Sequence, residues 1–179
     1  FGEEPKYVTA PPAPKSQTDE QVRAKSDGCQ TCHTQTDQVT MHTNPAVKLG
    51  CTDCHGGDAS VRLGGGIPRG SDAYMKSQER AHVLPRYPQE WKYPSSANPE
   101  RSYTLLNRES PEFIRFINPS DYRIVRESCG ACHMEVIENS ARSMHTTGAM
   151  LWGGAAYNNG ILDFKQYILG EAYDRNGKG

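Results

Sequence analysis

Long apolar runs are missing from this chain. Its 179 residues are 35% hydrophobic and 8% aromatic, so no stretch approaches the roughly 20 apolar residues of a membrane span and an ordinary core would be thinly supplied. Charge of one sign is missing too: 20 basic residues stand against 21 acidic ones, which excludes a polybasic surface of the kind that tracks nucleic acid. Gly64-Gly65-Gly66 lacks the Gly-Lys-Ser/Thr ending of a phosphate loop and reads as a flexible turn. The 12 prolines and 17 glycines favour irregular connections over long elements. Finally, no cysteine stands outside three short motifs, so one commitment of those motifs leaves none for a disulfide framework.

What is present is one pattern used three times: Cys29-Gln30-Thr31-Cys32-His33, Cys51-Thr52-Asp53-Cys54-His55 and Cys129-Gly130-Ala131-Cys132-His133. Each is C-x-x-C-H, the attachment signature of a c-type haem. Two thiols at that spacing bond two vinyl-derived carbons of one porphyrin, and the adjacent histidine faces the iron as proximal ligand. All six cysteines fall in such motifs, which implies three haem c groups held by Cys29, Cys32, Cys51, Cys54, Cys129 and Cys132, with His33, His55 and His133 on iron.

Three histidines remain: His42, His82 and His145. Three haems with two axial imidazoles each need six, so the count closes and all three are expected as distal ligands. Which distal histidine serves which haem stays open in the sequence. Met41 and Met144, beside two of them, read as packing at haem edges. Two imidazoles leave iron no open position, which favours electron relay over catalysis and low potentials. If one histidine failed to ligate, the alternative would be a multihaem reductase with one open coordination site acting on a small oxyanion or metal ion. A four-cysteine zinc site on Cys29, Cys32, Cys51 and Cys54 has acceptable spacing but leaves the adjacent histidines unexplained.

Along the chain, residues 1–26, with Pro5, Pro11, Pro12 and Pro14, read as an extended arm or linker. Residues 27–179 read as a single triheme domain: a diheme module at 27–82, a connecting wrap at 83–128, and a third-haem module at 129–179. Short helices are expected at 71–82 (Asp72 near its start), at 110–118 (Ser110 as N-cap, Pro111 at N1, Pro119 as stop), at 121–128 behind Ser120, and over 135–144. A partial repeat runs from His33 to Met41-His42-Thr43 and from His133 to Met144-His145-Thr146. The fold class expected is mainly irregular with short α-helices and little β-structure, its core organised by haem. A haem-free chain should then be poorly folded.

These motifs and spare histidines resemble those of multihaem c-type cytochromes of the exported, bis-histidine, electron-conduit kind. Leu105-Leu106-Asn107-Arg108-Glu109-Ser110-Pro111 and the stretch from Trp152 to Gly160 are similar to parts of large exported multihaem proteins. The resemblance implies a periplasmic or extracellular protein that is an electron carrier and no enzyme. Its partners would be other cytochromes or redox proteins, with a homo-oligomer or haem-lined filament as one architecture. The start at Phe1 fits removal of an export signal and fits an arbitrary chain boundary equally well.

Overall fold

The computed structural model describes residues 10–34, 41–91, 103–141, 143 and 149–161. They form short helices joined by irregular chain, and no β-strand forms among the described residues. Helices α1 (Asp19–Ala24), α2 (Asp27–Gln30), α3 (Cys51–His55) and α4 (Asp72–Ala81) come first. Two 3₁₀ segments follow, Pro88–Glu90 and Tyr103–Arg108. Then come α5 (Pro111–Ile117), α6 (Val125–Ser128), α7 (Gly130–Ala141) and α8 (Ala149–Asn158). None of the helices exceeds 12 residues, and none is long and apolar enough to cross a membrane.

Local chemistry explains most of the boundaries. Ser110 Oγ accepts the Phe113 N–H at 3.2 Å, Pro111 opens α5, and Asn118 closes it just before Pro119. Ser71 Oγ accepts the Tyr74 N–H at 3.3 Å and starts α4, which ends at His82 in an extended conformation (φ −90°, ψ 152°). Asn159-Gly160 forms the expected turn, with Gly160 at φ +69°, a region that favours glycine.

Four segments differ from the sequence expectation. Residues 19–24 are helical instead of extended, because Thr18 and Gln21 form a capping box: Thr18 Oγ1 accepts Gln21 N at 3.2 Å, and Gln21 Oε1 accepts Thr18 N at 2.8 Å. Ser120 caps no helix. Its hydroxyl bonds Asn118 Oδ1 at 2.8 Å, and the helix starts later, at Val125. Helix α7 begins at Gly130, ahead of the expected Glu135, and bends where His133 leaves helical geometry (φ −116°, ψ 19°); the expected end at Met144 lies outside the described residues. Helix α8 forms where no helix was expected, since the good helix formers Ala149, Met150, Leu151, Ala155 and Ala156 outweigh Gly153-Gly154.

The apolar core sits in the 83–128 connection. Val83, Trp91, Leu105, Leu106, Phe113, Ile114 and Ile124 pack together, with Phe116 and Ile117 against them. The Trp91 and Phe113 rings meet edge to face, 5.1 Å apart. This connection, which includes α5 and α6, carries the conventional core.

Glu109 is buried beside that core and accepts three donors: Arg86 N at 2.5 Å, Tyr87 N at 3.1 Å and Trp91 Nε1 at 2.8 Å. Both carboxylate oxygens face N–H groups, so a glutamine amide must turn its NH₂ on a donor in either orientation. Glu109→Gln is therefore expected to cost about 1–3 kcal/mol, read as a lower chemical-denaturation midpoint. An unchanged midpoint would show that this carboxylate does not hold the 86–91 turn.

Candidate functional site

In all three motifs the two cysteines and the histidine lie on one helical turn. His33 N bonds Cys29 O at 2.9 Å and His133 N bonds Cys129 O at 3.0 Å; the whole second motif is α3. A turn of this pitch puts residues i, i+3 and i+4 on one side, which is what two thioether bonds and one axial nitrogen on a single porphyrin require.

Each turn is pinned by its own surroundings. Gly28 N donates to Ala59 O at 3.0 Å, and a Cβ at Gly28 would stand 2.1 Å from that oxygen. Thr31 Oγ1 donates to Gly28 O at 2.6 Å and accepts Leu63 N at 2.9 Å. The first motif is thus held to residues 59–63. In the second, Ser26 Oγ accepts Cys51 N at 3.1 Å. Gly57 at φ +79° then passes under the chain at Ala81 O, where a Cβ would come within 2.7 Å, and Asp58 N donates to that same oxygen at 2.8 Å. The exit of motif two is thereby tied to the end of α4, next to His82. In the third, Arg126 Nε on α6 bonds Glu138 Oε1 on α7 at 2.7 Å.

Asp53, 2% exposed, lies inside the second motif. Its carboxylate accepts Gln17 Nε2 at 2.6 Å, Lys25 Nζ at 2.6 Å and Gly50 N at 2.7 Å. Burial opposes its ionisation, yet these three donors together hold its pKa below the ordinary value. Arg115, 4% exposed, approaches from α5 and donates to the carbonyls of Ala10, Pro11, Asp53 and Cys54 at 2.9, 2.9, 2.6 and 3.2 Å. Neither residue was singled out in the sequence. The signal for Arg115 was a cation inside an apolar run, Phe113-Ile114-Arg115-Phe116-Ile117.

The histidines form pairs. The rings of His33 and His82 lie 6.2 Å apart between centroids, and those of His42 and His133 lie 6.1 Å apart. Neither pair is in face contact, which needs approach near 3.5–4 Å. Two imidazole nitrogens on one metal at about 2.0 Å each, with about 1.1 Å more from nitrogen to ring centre set by ring bond lengths, give centroids about 6.2 Å apart. Both pairs therefore have the spacing of two axial ligands on one iron. Burial, followed by the neighbouring charge of His33, lowers the His82 pKa to about 4, so its ring is neutral near pH 7, the form that ligates. His55 Nδ1 lies 2.8 Å from Phe116 O. A proton donated there leaves Nε2 as the free nitrogen, the usual arrangement of a ligating histidine. The Phe116 ring in turn packs 4.9 Å from the His82 ring. His145 lies outside the described residues.

The cysteines of different motifs are also close. The thiol of Cys29 is pushed well up, first by a hydrogen bond with the Cys51 thiol and then by burial. Burial and then the proximity of Cys129 raise that of Cys54. No disulfide joins any of the six cysteines. Among the described residues no three or more His, Cys, Asp or Glu converge as a metal site, so the four-cysteine zinc alternative is not assembled. A bis-histidine haem would ask for less: porphyrin supplies four nitrogens, and the protein would need to add only two imidazoles. The motif turns and ring pairs fit that demand. No protein-family model, curated protein or solved structure matches the chain.

The depressed pKa of Asp53 makes stability depend on pH with a definite sign. A carboxylate whose folded pKa lies below its unfolded value stabilises above about pH 4 and loses that contribution as pH falls through the folded value. Asp53→Asn should destabilise most near neutrality, by less than the roughly 3–5 kcal/mol of a fully buried broken pair because Lys25 is 29% exposed. The gap to the parent protein should narrow on acidification, as followed by denaturation between neutral and acid pH. A gap that widens in acid would overturn the assignment of an ionised Asp53.

Proposed function

We propose that this protein is an electron carrier that relays single electrons through three covalently bound c-type haems with bis-histidine ligation. The observation that carries the reading is the two imidazole pairs at axial spacing, each including the histidine of a C-x-x-C-H turn. Bound haem iron would supply reversible one-electron chemistry.

The chain's own residues have distinct parts in this. Cys29 and Cys32, Cys51 and Cys54, and Cys129 and Cys132 would anchor the three macrocycles. His33, His55 and His133 would each supply one ligand to iron and His42, His82 and His145 the second, which would leave no position for water or a small substrate. The carbonyl of Phe116 orients His55. The Cys29 thiol bonds that of Cys51, and Cys54 lies near Cys129, so haems attached at these cysteines would be neighbours, as a relay requires. The partners that suit such a relay are other redox proteins, among them further copies of this chain in a haem-lined assembly. Covalent haem of this type belongs to periplasmic or extracellular respiration.

The test is visible absorption of the purified protein, oxidised, then reduced with dithionite, then exposed to carbon monoxide. Three low-spin c-type haems per chain with no carbon monoxide shift are expected. Replacing Cys51 and Cys54 together by alanine should remove one of the three covalent haems, measured by intact mass and haem stoichiometry. A polypeptide that matures in a haem c-attaching host without covalent haem would end the proposal. A carbon monoxide shift worth one haem would replace the carrier reading by the reductase one.

A further inference from the structure

Two ring pairs say more than that imidazoles meet at axial spacing. His82 stands opposite His33, and His42 stands opposite His133. We infer that distal ligation is crossed. His82 closes the iron of the haem attached at Cys29 and Cys32, and His42 closes that of the haem attached at Cys129 and Cys132. This rests on the bis-histidine reading above and adds a specific ligand set to it.

The crossing runs against sequence proximity. His42 follows His33 by nine residues and belongs to the first module, so a local loop back to the first haem is the simplest expectation. That position is instead held by His82. Independent contacts bring it there. Residues 59–63 are bonded to the first motif through Gly28 and Thr31, and Arg69 Nη2 donates to Cys32 O at 3.1 Å. The chain then enters α4, whose end is tied to the exit of the second motif by Asp58 N and Ala81 O. Phe116, in α5, packs with its ring centre 4.9 Å from that of His82. The His42 ring lies 6.1 Å from that of His133, at the bend of α7, the one point where that helix departs from regular φ/ψ. Met41 and Met134, next in sequence to the two rings, are exposed and supply polarisable apolar cover at the edges of such a site.

The pairing is read directly in the fully reduced, diamagnetic holoprotein by nuclear Overhauser contacts. Thioether protons identify each haem by its cysteines, and the ring-current-shifted protons of each axial imidazole identify its haem. Contacts from His82 to the haem of Cys29 and Cys32, and from His42 to the haem of Cys129 and Cys132, are expected. Either ring on a different haem overturns the crossing while leaving the carrier reading intact. A chain without covalent haem overturns both. As a second measurement, His42→Gly should let one haem of three bind carbon monoxide, and the haem methyl resonances that move should be those of the Cys129 and Cys132 group. Movement confined to the Cys29 and Cys32 group would refute the assignment. Should that variant fail to fold, the contacts in the unaltered protein decide.

Discussion

Two buried opposite charges share the turn of the second C-x-x-C-H motif, and much of the described structure depends on them. Asp53 gathers Gln17, Lys25 and Gly50 on one side. Arg115 gathers four carbonyls from two separate segments on the other. A buried ion is costly unless its hydrogen-bonding capacity is met. Here each charge is met mainly by groups that only the correct fold brings together. The guanidinium fork, planar and always charged, fixes several carbonyl directions at once. The segment around Ala10 and Pro11 cannot leave, and Cys54 cannot rotate, without exposing unsatisfied donors on Arg115.

That constraint passes to the histidines through a single residue. Arg115 and Phe116 are neighbours on α5, whose start is set by Ser110 and Pro111 and whose apolar side packs into the Trp91–Leu106 core. Fixing Arg115 on the second motif therefore fixes the Phe116 carbonyl on His55 and the Phe116 ring on His82. The connecting segment, with no attachment motif of its own, carries the apolar core against which residues next to His55 and His82 are packed. The conventional core is small, but it stands where positional precision is needed.

Local features of the scaffold were legible in the sequence, and the long-range ones were hidden. Attachment turns, the Ser110-Pro111 start and the Ser71 cap are local: each depends on residues within four positions, and local rules recover them. Helix α1 was masked by the prolines before it, although Thr18 and Gln21 carried a capping-box pattern that outweighs them. Asp53 occupied one of the two unconstrained positions of its motif and read as filler. Arg115 read as the polar interruption of an apolar stripe, since its partners are backbone carbonyls about sixty and a hundred residues away, which leave no trace in composition. Histidine pairing was invisible for the same reason. Nothing in a spacing of nine residues says that the ring turns outward to a distant helix.

Magnitudes explain why a crossed arrangement is thermodynamically reasonable. Joining the ends of a flexible segment costs about 0.6 kcal/mol more for each doubling of its length. The separation from His42 to His133 is roughly ten times that from His33 to His42, a little over three doublings, so distant pairing costs only about 2 kcal/mol more than local pairing on this model. Metal–ligand sets that form only in the folded chain contribute far more than that, on the order of 10 kcal/mol in small zinc domains. Loop entropy is therefore too weak to decide which histidine would meet which iron in the proposed holoprotein. The decision falls to the contacts that orient the rings: the glycine approaches at residues 28 and 57, the Phe116 ring, and the bend at His133. In the proposed holoprotein, ligation would then act as a set of cross-links between the two ends of the chain, placed by a compact middle segment that itself binds no iron through its side chains.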